Sequence, residues 1–190
     1  MIDPDIPILA KNREVLEVSG ARIAVVSPEA AEITSDKWLT RRFFEELGLA
    51  TPRSWLPGDL DWESLAYPVF IKPRRGSAAK GTFPINNPSE GRFFSDYVTD
   101  PIVQEYLPGP EITNDVICDL EGDVLSVVSR QRIEVRSGEV AKAAMIYDRE
   151  ITEACVRIAR ALPARGPITV QCMMKDGVPQ FTEINAAYFR

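Results

Sequence analysis

Four short stretches of this chain carry side chains whose type and spacing could do chemistry. Residues 71–82, IKPRRGSAAKGT, gather Lys72, Arg74, Arg75 and Lys80 around Gly76, Ser77 and Gly81. Small residues at such a tip let the backbone approach a ligand and offer N–H donors, and the cations suit a polyphosphate. A solvated hairpin tip would have the same composition. The loop follows neither the GxxxxGK[ST] nor the GxGxxG pattern, and no helix comes directly after it. Near the other end, Glu183 and Asn185 lie two apart on an expected strand and so point to one face, where Gln171 could meet them across a hairpin. Hard oxygen donors of this kind suit magnesium. A half-buried antiparallel strand with one wet face reads identically.

The third stretch, VQEYLPGPEITNDV at 103–116, sets Glu105, Tyr106, Glu111 and Asp115 around Pro-Gly-Pro. The irregular backbone after Tyr106 could leave N–H and C=O groups free for a flat base, and Glu111 could hold a sugar diol. A plain linker with surface acids fits the spacing as well. In the fourth, Arg130, Arg132, Glu134 and Arg136 alternate with Gln131, Ile133 and Val135. Period-two alternation marks one solvated face of a strand, with Arg132 and the downstream Lys142 as candidate phosphate contacts.

The elements that must position these groups follow from pattern and punctuation. Residues 1–20 read as loop and then a helix ending at Gly20, and ARIAVVS at 21–27 as a short buried strand. That order is half of an α/β unit without its first strand, so the chain is expected to start inside a domain. Ser35 or Asp36 can cap a helix over 36–47, ended by Gly48. Residues 51–57 read as a linker or edge segment, 68–72 and FPIN at 83–86 as strands, 88–97 as a helix starting at Pro88, and 101–107 as a strand. Two strands meet at Glu121-Gly122-Asp123 and a third follows Ser137-Gly138 over 139–146. A helix at 150–162 stops at Pro163, and 167–174 with 179–185 form a hairpin across Asp176-Gly177.

Composition narrows the chemistry. The 190 residues suit one or two domains, and 45% hydrophobic with 26% charged residues can fill a core. A net charge of −6 leaves no general basic field for nucleic acid or an anionic membrane. With no histidine, histidine general bases and histidine-ligated metals are excluded. Cys118, Cys155 and Cys172 lie too far apart for a CxxC site, no apolar run is long enough to span a bilayer, and no leader pattern opens the chain. The expectation is a cytoplasmic protein.

Taken in order, the blocks ITSDKWLTRRFFEELGLATP, YPVFIKPRRGSAAKG, VQEYLPGPEITNDVICDLEGDV, RQRIEVRSGEVAK and ITVQCMMKDGVPQFTEINA resemble the ATP-grasp superfamily. Within it they are similar to the carbamoyl-phosphate-synthase large-subunit-like group. The match covers roughly residues 33–187 in family order. It implies an α+β fold in which two α+β lobes sandwich ATP: residues 35–105 and 106–190, preceded by a remnant of an α/β domain at 1–34. It implies ATP and Mg²⁺, a carboxylate activated as an acyl phosphate, and attack by an amine or ammonia. By position, Lys37 and Lys72 resemble the phosphate-contacting cations, and Gly76, Ser77 and Lys80 the flap over the phosphates. Glu105, Tyr106 and the Leu107 backbone resemble the adenine contacts, Glu111 the ribose contact, and Gln171, Glu183 and Asn185 the magnesium ligands. Lys72, Arg132 and Lys142 take the catalytic cationic positions.

Two departures stand out. The family follows its Glu-x-Asn with a small residue or proline and then an arginine, whereas Ala187 stands at the arginine position. Losing that charged clamp could cost on the order of a few kcal/mol of transition-state stabilisation, with Arg190 the nearest substitute. Relatives also continue beyond the position of Arg190 and carry more of the preceding domain. The resemblance therefore leaves two readings, an ATP-dependent ligase or a catalytically idle nucleotide-binding module, and makes a homodimer or a completing partner subunit an expectation.

Overall fold

The computed structural model describes residues 5–76, 80–136 and 139–186. Two short helices, α1 (Ile6–Lys11) and α2 (Arg13–Glu17), are followed by a turn at Gly20, as the punctuation predicts. The expected strand at 21–27 does not form. Val25 and Val26 are fully buried in the core, but among the described residues no strand lies alongside to complete a ladder. The Ile23 N–H is instead taken by the Glu17 carboxylate at 3.1 Å, and the Val25 N–H by the Ile23 carbonyl at 2.9 Å. Apolar content buried this segment, and local bonds satisfied its backbone.

Helix α3 (Pro28–Ser35), which sequence reasoning did not anticipate, starts where Ser27 Oγ accepts the Ala30 N–H and Pro28 takes the first turn. Of the two candidate caps for α4 (Lys37–Glu46), Asp36 is the one used, accepting from the Trp38 and Leu39 N–H groups. Gly48, with φ of +64°, closes the helix as expected. The Leu47 carbonyl is capped from afar by the Arg157 guanidinium.

A four-stranded antiparallel sheet has the order β1-β4-β2-β3. Its strands are β1 (Ser54–Trp55), β2 (Val69–Pro73), β3 (Phe83–Ile85) and β4 (Pro101–Glu105). The 51–57 segment thus supplies a short edge strand. Helix α5 (Pro88–Tyr97) covers this sheet over Trp62, Val69, Ile71, Ile85, Val98 and Val103. Gly91 is required there, since a Cβ would meet the Trp62 ring at 2.2 Å.

The second sheet has five antiparallel strands in the order β7-β6-β5-β8-β9. They are β5 (Glu111–Cys118), β6 (Val124–Arg136), β7 (Glu139–Ile146), β8 (Pro167–Lys175) and β9 (Val178–Asn185). Helix α6 (Arg149–Ala161) lays Ile151, Ala154, Cys155, Ile158 and Ala159 on one face of it, at helical three-and-four spacing. Each large apolar side chain so buried contributes about 2 kcal/mol. The same core takes in α1, the 21–27 segment, α3 and Phe44 of α4, which meets Phe181 at 5.7 Å between ring centroids. The architecture is α+β with two antiparallel sheets. The three cysteines are free and buried. Among the described residues no helix is long and apolar enough to cross a membrane.

Candidate functional site

The β8–β9 hairpin pairs Gln171 with Glu183 and Thr169 with Asn185, and the register shifts between Gln171 and Cys172 so that Thr182 is an extra residue on β9. This bulge explains how one strand serves two surfaces. Phe181 and Ile184, three apart, both face the core with Cys172 and Val170, while Glu183 and Asn185 share the other face with Gln171. The Phe181 N–H donates to the Ala50 carbonyl at 2.8 Å, tying the outer strand to the segment leading into β1.

The open face continues across the sheet. Thr113 is opposite Gln171 and Arg130, Asp115 is opposite Thr169, and Glu111 is opposite Met173. Arg130 donates to the Asp115 carboxylate at 2.8 Å and Arg132 to Glu111 at 2.5 Å. The structure therefore brings Gln171, Glu183, Asn185 and Glu111 to one face, with Arg132 bonded to Glu111.

Two cations reach that face from elsewhere. Lys37, the first residue of α4, places Nζ 3.6 Å from the Glu183 carboxylate and 2.8 Å from the Gly76 carbonyl. Lys72, on β2, sits deep enough that burial pushes its ammonium down to about 8; Glu183 and Glu111 work against that shift, and Lys37 adds to it. Lys72 Nζ donates to Gln104 Oε1 at 2.8 Å.

The join between α4 and the loop after β2 is made by a pair that the sequence did not link. Asp36 is fully buried, and its carboxylate receives Arg74 Nη2 at 2.7 Å and Arg74 Nε at 3.2 Å. Burial opposes its charge, but Arg74 and the two helix N–H groups outweigh that and hold the carboxyl below its ordinary range. The Lys37 N–H also donates to the Arg74 carbonyl at 3.0 Å. Arg74, counted among the loop's cations, is thus engaged in holding the loop against α4. Nothing local in the sequence links positions 36 and 74.

At the crossing between the sheets, the Glu105 carboxylate is held by Lys175 at 3.1 Å and Arg53 at 3.0 Å. Burial raises its carboxyl, but these two hydrogen bonds outweigh it and hold the group charged. The side chain is thereby occupied, leaving the backbone of this segment as the part able to meet a base. Tyr106, half exposed, packs on Phe70 at 5.5 Å, and Leu107 is buried. Gly109 lets the connection pass Met174, whose carbonyl would lie 1.7 Å from a Cβ there.

Lys80 is exposed, and one candidate lies apart from this convergence. Lys142 sits on the outermost strand, β7, four strands from β9, or about 19 Å at ordinary strand spacing. The bulge at Ile133 pairs it with Glu134 at 3.6 Å, on the face opposite Arg132. Ser77, Ala187 and Arg190 fall outside the described residues.

The donor set suits magnesium with a polyphosphate. Gln171, Glu183 and Asn185 offer oxygen alone, and a single carboxylate leaves the remaining negative charge for phosphate to supply. Among the described residues no group of three His, Cys, Asp or Glu side chains is placed to hold a metal, so a site relying on protein charge alone does not arise. Lys37 and Lys72 flank the same position, where phosphate oxygens would need them.

A family model described as an ATP-grasp domain matches residues 34–188. The D-alanine–D-alanine ligase of Fusobacterium nucleatum subsp. nucleatum is 32% identical over 118 residues, covering 62% of this chain and 39% of that ligase. A carbamoyl-phosphate synthase of Methanobrevibacter smithii is 26% identical over 120 residues, covering 61% of this chain and 33% of its own. The solved biotin carboxylase of Campylobacter jejuni, a complex with β,γ-ATP, shares the fold at a TM-score of 0.74 and 18% identity, over 95% of this chain and 47% of its own. The chain spans less than half the length of each of these relatives.

Proposed function

The chain belongs to the ATP-grasp domain family, and from that premise we propose that it binds magnesium–ATP between its two sheets and serves an ATP-dependent ligase reaction. In this reading a carboxylate is activated as an acyl phosphate and then attacked by an amine or ammonia. The observation that carries it is the meeting of Lys37, Lys72, Glu111 and Glu183, from four separate stretches of chain, around one position. Surface charges alone would not be gathered in this way against the desolvation of Lys72.

In this reading each group has a role that its placement supports. Lys37 and Lys72 hold phosphate oxygens, and the Gly76 backbone closes over them. Gln171, Glu183 and Asn185 hold magnesium, which when bound neutralises phosphate charge and orients the transferring group. The backbone at Tyr106 and Leu107 meets the base, and Glu111, aimed by Arg132, holds the ribose. The Lys37–Glu183 contact of 3.6 Å is longer than a hydrogen bond. Exchanging it for phosphate on one side and metal on the other therefore costs little. The printed activities of the relatives are ligase and synthase activities, which supports the reaction class. The acceptor is not fixed by these residues. We place the protein in the cytoplasm, in keeping with its free thiols, and include a homodimer or completing subunit in the reading, in keeping with the exposed Val15 of α2 and Val18 just after it.

A second reading, a nucleotide-binding module without catalysis, is favoured by Ala187 at the family's arginine position. Acceptor-dependent ADP release separates the two. The binding itself is tested by calorimetric titration with an ATP analogue, with and without magnesium, on wild type and Glu183→Ala. Magnesium-dependent binding by wild type and its loss, at least about 100-fold, in a folded Glu183→Ala protein are the expected results. Unchanged affinity in that variant would sink the metal assignment.

A further inference from the structure

Gln104 lies in the middle of β4 and is only 8% exposed, next to the fully buried Ile102 and Val103. The register pairs Phe70 with Gln104 and Lys72 with Ile102, which makes Gln104 and Lys72 diagonal neighbours on one face. Three bonds run in series. Lys72 Nζ donates to Gln104 Oε1 at 2.8 Å, Gln104 Nε2 donates to Ser54 Oγ at 3.0 Å, and Ser54 Oγ donates to the Pro52 carbonyl at 3.0 Å. Their direction follows from chemistry. A carbonyl only accepts, so the Ser54 hydrogen is committed to Pro52, the amide NH₂ must face Ser54, and the amide oxygen must face Lys72.

We propose that Gln104, held by Ser54, is a positioning residue that keeps the Lys72 ammonium aimed into the cleft and away from the carboxylates of Glu183 and Glu111. This rests on the reading of Lys72 as a phosphate-holding cation. A lysine head on a four-carbon stem moves freely unless something fixes it, and two anions near Lys72 attract it. A neutral acceptor restrains the ammonium without cancelling its charge, as a carboxylate in the same place would. Released from Gln104, Lys72 is drawn toward Glu183, where it competes with magnesium for that ligand.

The test is a double-mutant cycle on the full chain: wild type, Lys72→Met, Gln104→Met and the double variant, each checked by thermal melting. Each is titrated with a non-hydrolysable ATP analogue at several magnesium concentrations. Each single variant is expected to weaken binding about tenfold, and the double to bind no more weakly than Lys72→Met. Gln104→Met is further expected to need more magnesium for half-saturation, a change that loosened packing alone would not produce. Wild-type affinity in Gln104→Met, or a full extra tenfold loss in the double, overturns the proposal. If Lys72→Met itself binds like wild type, the reading of Lys72 falls and takes this one with it. If only Gln104→Met is silent, the positioning role alone falls. Should Gln104→Met not fold, Ser54→Ala decides: about threefold weaker binding that vanishes in the Lys72→Met background supports the role, and unchanged affinity overturns it.

Discussion

The five-stranded sheet has two ends that read alike in sequence and behave differently in three dimensions. At the β6–β7 end Arg130, Arg132 and Lys142 each have a carboxylate partner in their own sheet, namely Asp115, Glu111 and Glu134. At the β8–β9 end Glu183 is met instead by Lys37 from α4, and Lys72 of the other sheet is close enough to feel its charge. Alternation of polar and apolar residues marks a wet face in both places. What separates a candidate site from a solvated face is that its charges are brought in from distant segments and depend on the join between α4 and the loop after β2.

That contrast can be broken at the join. Asp36→Ala removes a fully buried carboxylate that caps α4 and pairs with Arg74, leaving the guanidinium short of its partner. A loss of about 3 kcal/mol in denaturant unfolding is expected. A loss below about 1 kcal/mol would show that α4 and the loop after β2 are held together by other contacts.

The second effect is set by pH. Lys72 titrates near 8 in the fold against 10.5 as a free side chain. Its charge therefore fades as pH rises through 8, and affinity for the ATP analogue should fall about fourfold between pH 7.5 and 9, while Lys72→Met stays flat. The stability of the nucleotide-free protein moves the other way. The unfolded chain keeps this proton up to about 10.5 while the folded one releases it near 8. The cost of the buried charge, fully present below 8, is thus relieved between those values. Wild type should gain on Lys72→Met across that window, and a constant gap would sharpen the case against Lys72 as the buried cation.

The smallest effect is expected at the other end of the sheet. Lys142 is 72% exposed and its partner is 3.6 Å away. Lys142→Ala should change stability by less than about 0.5 kcal/mol and nucleotide affinity by less than about twofold. A larger loss of affinity would mean that the outer strand comes to the nucleotide, and the two ends of the sheet would no longer differ.

Much of this was legible from residue order. Both sheets, α5, α6 and the β8–β9 hairpin follow from punctuation by Pro88, Pro163 and Asp176-Gly177 together with apolar spacing. The strand at 21–27 was misread because hydropathy reports burial and is silent on whether a neighbouring strand exists to share hydrogen bonds. Helix α3 was missed although Ser27 and Pro28 are a start signal, its eight residues being too few for a clear stripe. In the site, Glu183, Asn185 and Gln171 share a face as their spacing indicates. The Asp36–Arg74 pair and the Gln104–Ser54 chain were hidden, because they join residues 38 and 50 apart in sequence and leave no local pattern. Gln104 in particular sits inside an apolar run and reads as an interruption of it.

The extra residue on β9 has a consequence for how this hairpin can change. A strand keeps two faces apart by odd and even counting, and Thr182 is where the count changes parity. Exchanging Phe181 or Glu183 for another residue alters what one surface carries. Deleting Thr182 would leave Phe181 and Glu183 as neighbours on a regular strand, still on opposite faces and still paired with Cys172 and Gln171. Loss of this single residue is therefore open to the hairpin, and its two surfaces belong to the pairing register rather than to the length of the strand.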